Sequence, residues 1–212
     1  MPSKKIIGFD LDGTLIDSMY VHIDAFIYAS KKFKFKVQKE NVLRLFSNSA
    51  DVMLKKLVPP IDQKTINNFL TISHRYFLRH IKKIKPFPGV IKTLDKLKKI
   101  YEIILISNTD YKNILRSLEA ANLNPFFFDL IVSYDLVKHP KPYTDEIFLA
   151  EKILHHNLYY YVGDSIVDMK VGLKAKVKTI GVTTGLNTRE ELQKYKPYAI
   201  INKISELSKL LK

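Results

Sequence analysis

Phe9-Asp10-Leu11-Asp12-Gly13-Thr14-Leu15 is the stretch on which the reading of this chain turns. The apolar run Ile6-Ile7-Gly8-Phe9 precedes it and reads as a buried strand. Side chains alternate along a strand, so Asp10 and Asp12 are expected to point the same way, with Leu11 facing back into the core. Gly13 permits a sharp turn where a Cβ would clash. Two like charges this close repel unless a cation lies between them or one takes a proton. A divalent ion meets that need, and so does a nucleophilic carboxylate beside an acid/base carboxylate. A solvated turn that happens to carry two acids is the bland alternative.

Working outward, residues 17–85 interrupt the pattern. Met19, Ile23, Phe26 and Ile27 recur at helical spacing. Val42 to Leu57 reads as one or two short helices, with a break at Asn48 or Ser49. Asp62 is a plausible N-cap for a long helix carrying Ile66, Phe69, Leu70, Phe77 and Ile81. The segment is therefore expected to be an all-helical insertion. Beyond it, Val90, Leu94 and Leu97 mark a helix, and Ile103 to Ile106 is an apolar strand of the kind buried on both faces. A helix from Asp110 to Ala121 follows, then strands at Leu130 to Val132, Tyr159 to Val162 and Thr179 to Val182. A helix from Thr144 to Leu154 has Ile147, Phe148 and Glu151 marking its turns, and a shorter one covers 166–173. Ala199 to Ile201 reads as a brief strand. Strands alternating with helices predict a Rossmann-like parallel α/β sheet with helices on both faces. The expected organisation is a core of residues 1–16 and 86–212 and a helical cap of residues 17–85.

In such a sheet the active crevice lies at the carboxyl ends of the strands. Asp10 and Asp12 end the first strand, Ser107 and Asn108 the second, and Asp164 the fourth, with Asp168 four residues on. Lys141 sits in a proline-flanked loop between the third and fourth. Each has a mundane alternative: Ser107, Asn108, Asp164 or Ser165 as a helix cap, Lys141 as one lysine among many. Together they fit phosphoryl transfer, which needs cations and donors around an anionic centre. Asp10 would attack phosphorus, and Asp12 would protonate the leaving oxygen and later deprotonate water. Magnesium would sit between Asp10, the Asp12 carbonyl and Asp164, with Asp168 binding the ion or its water, or orienting Lys141. The Ser107 hydroxyl and nearby backbone N–H groups would hold phosphate oxygens, with Gly13 and Asn108 as candidate substrate-binding positions, and Lys141 would neutralise charge.

These stretches closely resemble the haloacid dehalogenase-like hydrolase superfamily, in particular phosphatases with a helical cap inserted after the first motif. The matching residues are Asp10 to Leu15 with Asp17-Ser18, Ser107-Asn108, Lys141-Pro142 and Gly163 to Asp168, and Phe87-Pro88-Gly89-Val90 looks like the return from cap to core. The resemblance implies a strand order of 3-2-1-4-5, counted along the chain. It implies Asp10 as nucleophile, Asp12 as acid/base, Ser107 and Lys141 on phosphate, and Asp164 and Asp168 in the magnesium motif. Dehalogenases lack the second acid, whereas phosphoglycolate phosphatases, pyrophosphatases and β-phosphoglucomutases carry this set. A small phosphorylated metabolite is thus the implied substrate: phosphoglycolate, a sugar phosphate, a nucleotide or pyrophosphate. A phosphomutase and a non-catalytic phospho-ligand binding protein are the alternatives. The cap segment Arg44 to Asn48 corresponds to a loop that reaches substrate in relatives, so Arg44 is a candidate grip on a second anionic group; a surface arginine is the competing reading. Tyr20 and His22, just past the first linker, are candidates to face the cleft. Tyr159-Tyr160-Tyr161 reads as ordinary strand packing, and Thr183-Thr184-Gly185 as a simple turn or the edge of the site.

Composition narrows the rest. The 212 residues, 46% hydrophobic, suffice for one full core and a small second lobe. There is no cysteine, which excludes disulfides and thiolate zinc sites. No apolar run approaches the roughly 20 residues of a membrane helix, and the start of the sequence lacks a signal-peptide core, so a cytoplasmic location is expected. The formal charge of +14 is mostly lysine scattered over several helical segments, not one basic arm. That argues against nucleic acid as the main partner and suits a small anionic substrate. Monomer and homodimer both stay open.

Overall fold

A computed structural model describes residues 4–46 and 48–211. The strands are β1 Lys5–Phe9, β2 Ile16–Asp17, β3 Lys85–Pro86, β4 Tyr101–Ser107, β5 Leu130–Ser133, β6 Leu158–Gly163, β7 Lys178–Val182 and β8 Ala199–Ile201. The α-helices are α1 Met19–Lys32, α2 Lys39–Leu45, α3 Ala50–Leu57, α4 Gln63–His80, α5 Val90–Leu97, α6 Tyr111–Ala120, α7 Asp145–Leu154, α8 Ile166–Lys174, α9 Arg189–Gln193 and α10 Leu207–Leu210.

Six strands form one sheet in the order β5-β4-β1-β6-β7-β8, every neighbouring pair parallel. This is the expected 3-2-1-4-5 order with β8 added at one edge. Alternation in β4 shows why the apolar run there is unbroken. Ile103 and Leu105 join a core with Leu94 of α5 and Ile114 and Leu118 of α6. Ile104 and Ile106 join the opposite core with Ile147 of α7 and Val171 of α8. Both faces are covered, so both sets of side chains must be apolar. On α7 the inward residues are Glu146, Ile147 and Ala150, while Phe148 is 51% exposed. The helix is thus rotated from the expected face.

Between β2 and β3 lies the inserted helical cap region. Helices α1 to α4 enclose their own core, built on Phe26, Leu54, Ile66 and Phe69. The expected break between α2 and α3 is present, but Ser47, within the segment Arg44 to Asn48, lies outside the described residues. Asp62 caps α4 by accepting from Thr65 N at 2.6 Å. β2 and β3 pair antiparallel and form the neck between cap and core. Tyr20 belongs to this neck: its hydroxyl donates to the Lys83 carbonyl at 2.6 Å. No described helix is long and apolar enough to cross a membrane.

Candidate active site

The central strand stops at Phe9, where the apolar run ends, and does not continue through Asp12 as the alternation argument assumed. Asp10 still pairs its N–H with the Val162 carbonyl at 2.9 Å, so β6 fixes its position. The chain then turns, with Leu15 N and Ile16 N both donating to the Leu11 carbonyl. Gly13 makes the turn possible at φ +87°, and a Cβ there would stand 2.7 Å from Asp164 Oδ2. Leu11 is buried in the core as expected. Asp10 and Asp12 both line a cavity of about 700 Å³ between cap and core.

Lys141 is the hub of the cavity floor. Its Nζ donates to Asp10 Oδ1 at 2.7 Å, Asp168 Oδ1 at 2.8 Å and the Tyr161 hydroxyl at 2.9 Å. Burial disfavours its charge, yet Asp10 and Asp168 outweigh that and hold its pKa well above the ordinary lysine value. Tyr161 was read as strand packing, and its neighbours Tyr159 and Tyr160 do pack edge to face. Its ring crosses Gly8, where a Cβ would meet Cδ2 at 3.0 Å. The missing side chain at Gly8 leaves room for the ring whose hydroxyl meets Lys141. Lys141 N donates to Glu146 Oε2 at 2.8 Å, and the Lys141 carbonyl accepts from Asn108 Nδ2 at 3.0 Å. Asn108 therefore steadies the lysine loop.

Asp10, Asp164 and Asp168 each place a carboxylate oxygen within 4.8 Å of the others. Burial, countered by Lys141 and added to by Asp168 and Asp164, raises the Asp10 pKa well above the usual range. Burial, then Asp168, does the same to Asp164. Two buried acids with raised pKa values, Asp10 and Asp164, beside the third acid Asp168, bind either protons or a cation. Thr14 Oγ1 donates to Asp164 Oδ1 at 2.8 Å and Leu186 N to its Oδ2 at 2.7 Å. The all-oxygen donor set fits a hard divalent ion such as magnesium. Asp168 is also committed elsewhere. It caps α8 with Ser165, whose Oγ donates to Asp168 Oδ2 at 2.6 Å, and it holds Lys141. The cap of α6 is Asp110, not Ser107 or Asn108.

Asp12 stands outside the carboxylate cluster. Ser18 Oγ donates to its Oδ1 and Thr109 Oγ1 to its Oδ2 at 2.8 Å. His22 Nε2 lies 3.6 Å from Oδ1, beyond ordinary hydrogen-bond length but well within charge range. Burial pushes the Asp12 pKa up, but His22, Ser18 and Thr109 together bring it below the usual value. Ser107 is buried at the end of β4, lines the cavity, and accepts from Thr109 N at 3.2 Å. Arg44 is exposed and does not line the cavity; nor does Tyr20, whereas His22 does. Thr109 carried no reading from the sequence, Tyr161 only that of strand packing, and the turn at Thr184-Gly185 that of a simple turn or the edge of the site. Thr184 Oγ1 donates to the Gly13 carbonyl at 2.8 Å, tying the β7 loop to the first motif.

Residues 7–182 match the family described as haloacid dehalogenase-like hydrolase. The chain belongs to that family. Among its relatives, the Dickeya dadantii protein named "Probable phosphatase IndB" is 28% identical, over 96% of this chain and 92% of that one. The pyrophosphatase PpaX of Bacillus cereus (strain Q1) is 29% identical, over 96% and 94%. A solved hydrolase from Pseudomonas syringae superposes with a TM-score of 0.88 at 24% identity, covering 99% of this chain and 98% of that one. At that identity it shows the fold alone. This haloacid dehalogenase-like hydrolase thus carries the buried acidic cluster consistent with aspartyl-phosphate chemistry on a small phosphoester.

Proposed function

We propose that the protein is a magnesium-dependent phosphomonoesterase that hydrolyses a small phosphorylated metabolite through an aspartyl phosphate on Asp10. The observation that carries this is Asp10 itself, ion-paired with Lys141 at 2.7 Å on the floor of the cavity and sharing an acidic cluster with Asp164 and Asp168. The names of the relatives, a phosphatase and a pyrophosphatase, agree with it.

Asp10 attacks phosphorus, and the bond from phosphorus to the leaving oxygen breaks. Lys141 offsets the charge of the Asp10 carboxylate as the phosphate approaches. Asp12 gives the leaving oxygen its proton. At rest Asp12 favours the carboxylate form, but the negative charge of bound phosphate raises its proton affinity. After the leaving group departs, Asp12 takes a proton from the water that attacks the acyl phosphate. This regenerates Asp10 and releases inorganic phosphate. Thr109 and Ser18 keep Asp12 turned toward that position, and Ser107 is placed to donate to a phosphate oxygen. Magnesium held by Asp10 and Asp164, with Asp168 behind them, would supply neutralising charge between nucleophile and phosphate. The cap over the cavity limits bulk water. In this reading residues 17–85 are the helical cap and set substrate specificity.

The test is phosphate release from a panel of small monoesters and pyrophosphate, scored by kcat/KM. Turnover that needs magnesium and disappears in Asp10→Asn is expected. Turnover unchanged by a chelator, or retained by Asp10→Asn, contradicts the proposal. Isomerised sugar phosphate with little free phosphate would move the chain to the mutase branch.

A further inference from the structure

The cavity has a second cationic feature, away from Lys141 and not needed for phosphoryl transfer. Arg116 and Lys112 project from core helix α6, and His74 and Arg75 from cap helix α4; all four line the cavity. Arg116 is half-buried, and its Nη1 lies 3.3 Å from His74 Nε2 and donates to Asn113 Oδ1 at 3.3 Å. Asn113 Nδ2 faces the other ring nitrogen, His74 Nδ1, at 3.3 Å. Burial and the Arg116 charge hold the His74 pKa below its ordinary value, which favours the neutral ring. A neutral imidazole has one acceptor nitrogen, yet donors face both. No carboxylate forms an ion pair with Arg116 or Lys112 among the described residues. The nearby acid, Asp110, already accepts from Asn113 N at 3.0 Å and Asn113 Nδ2 at 2.6 Å. The cluster therefore has more donors than acceptors and a charge without a partner, inside the cavity that holds Asp10.

The geometry points to a second anion subsite: Arg116, with His74 and Lys112, binds a further carboxylate or phosphate on the substrate. This rests on the phosphatase reading for the first subsite and narrows its substrates to small, doubly anionic phosphate esters. Because Arg116 belongs to the core and His74 to the cap, an anion between them links the two lobes. Arg116 then supplies the grip for which Arg44 was a candidate, and the exposed Arg44 fits the competing reading of a surface arginine. Guanidinium suits this role because its planar fork matches both carboxylate and phosphate.

Non-hydrolysable phosphonates test this independently of turnover. Calorimetric titration in magnesium buffer would compare propylphosphonate, 3-phosphonopropionate and propane-1,3-bisphosphonate. The wild type is expected to bind at least one doubly anionic compound on the order of tenfold more tightly than propylphosphonate. Arg116→Gln should bring that ratio close to one, and Arg116→Lys should give an intermediate ratio. The carboxylate and bisphosphonate arms show which second group is preferred. A wild-type ratio near one overturns the inference. So does a ratio that survives in Arg116→Gln, because the preference would then come from the general positive field. Absence of phosphate release from any monoester would defeat the phosphatase reading while leaving a measured ratio to decide this one.

Discussion

Glu146 is fully buried, accepts from Lys141 N through Oε2 and leaves Oε1 without a partner. Burial, opposed by Lys141, raises its pKa from 4.5 to about 7. The unfolded chain loses this proton near 4.5, whereas the folded chain keeps it to about 7. Between those values the folded state binds more protons, so stability falls as pH rises and stays lower above about 7, by roughly 3 kcal/mol. Glu146→Gln should flatten that slope and be the more stable form at pH 8. Urea unfolding of both proteins at pH 5 and pH 8 measures it, and parallel pH dependences would contradict it. No sequence pattern marks Glu146, because its burial depends on how α7 is rotated. The acids at the strand ends were legible because charge at the end of an apolar run is costly without a purpose. Thr109 and the role of Tyr161 were not, and Ser18 was matched to the family without a role, since these hydroxyls gain theirs through what folding places beside them.

At the scale of elements, the strands announced themselves by continuous apolar runs and the helices by their spacing. The neck strands β2 and β3 have only two residues each, too few to show a period. The β7 loop read as a simple turn or the edge of the site, and Gly185 lies so close to Asp164 that a Cβ would drive into its carboxylate. Gly185→Ala should therefore displace Asp164 while keeping every acid of the cluster. Magnesium affinity is expected to fall at least tenfold, and the rise in Tm on adding magnesium to shrink accordingly. Calorimetric titration of magnesium checks this, and unchanged affinity would show that Asp164 does not hold the ion.

Across the whole molecule, four stretches far apart in the chain meet because β1 is central. β4 brings Ser107 from one side and β6 brings Asp164 and Asp168 from the other, and the loop after β5 carries Lys141 inward. The strand order that makes this possible came from family resemblance, since periodicity alone does not order strands. The cap placed a cavity over the site, but its lining depended on packing between α4 and α6 that no local pattern encodes. The central claim is that this convergence makes Asp10 a phosphoryl acceptor. Rapid quenching during turnover of an active phosphate ester, followed by borohydride reduction and peptide mass spectrometry, tests it most directly. Conversion of Asp10 to homoserine is predicted. Steady phosphate release with position 10 always recovered as aspartate, or with the label on another residue, would contradict the account.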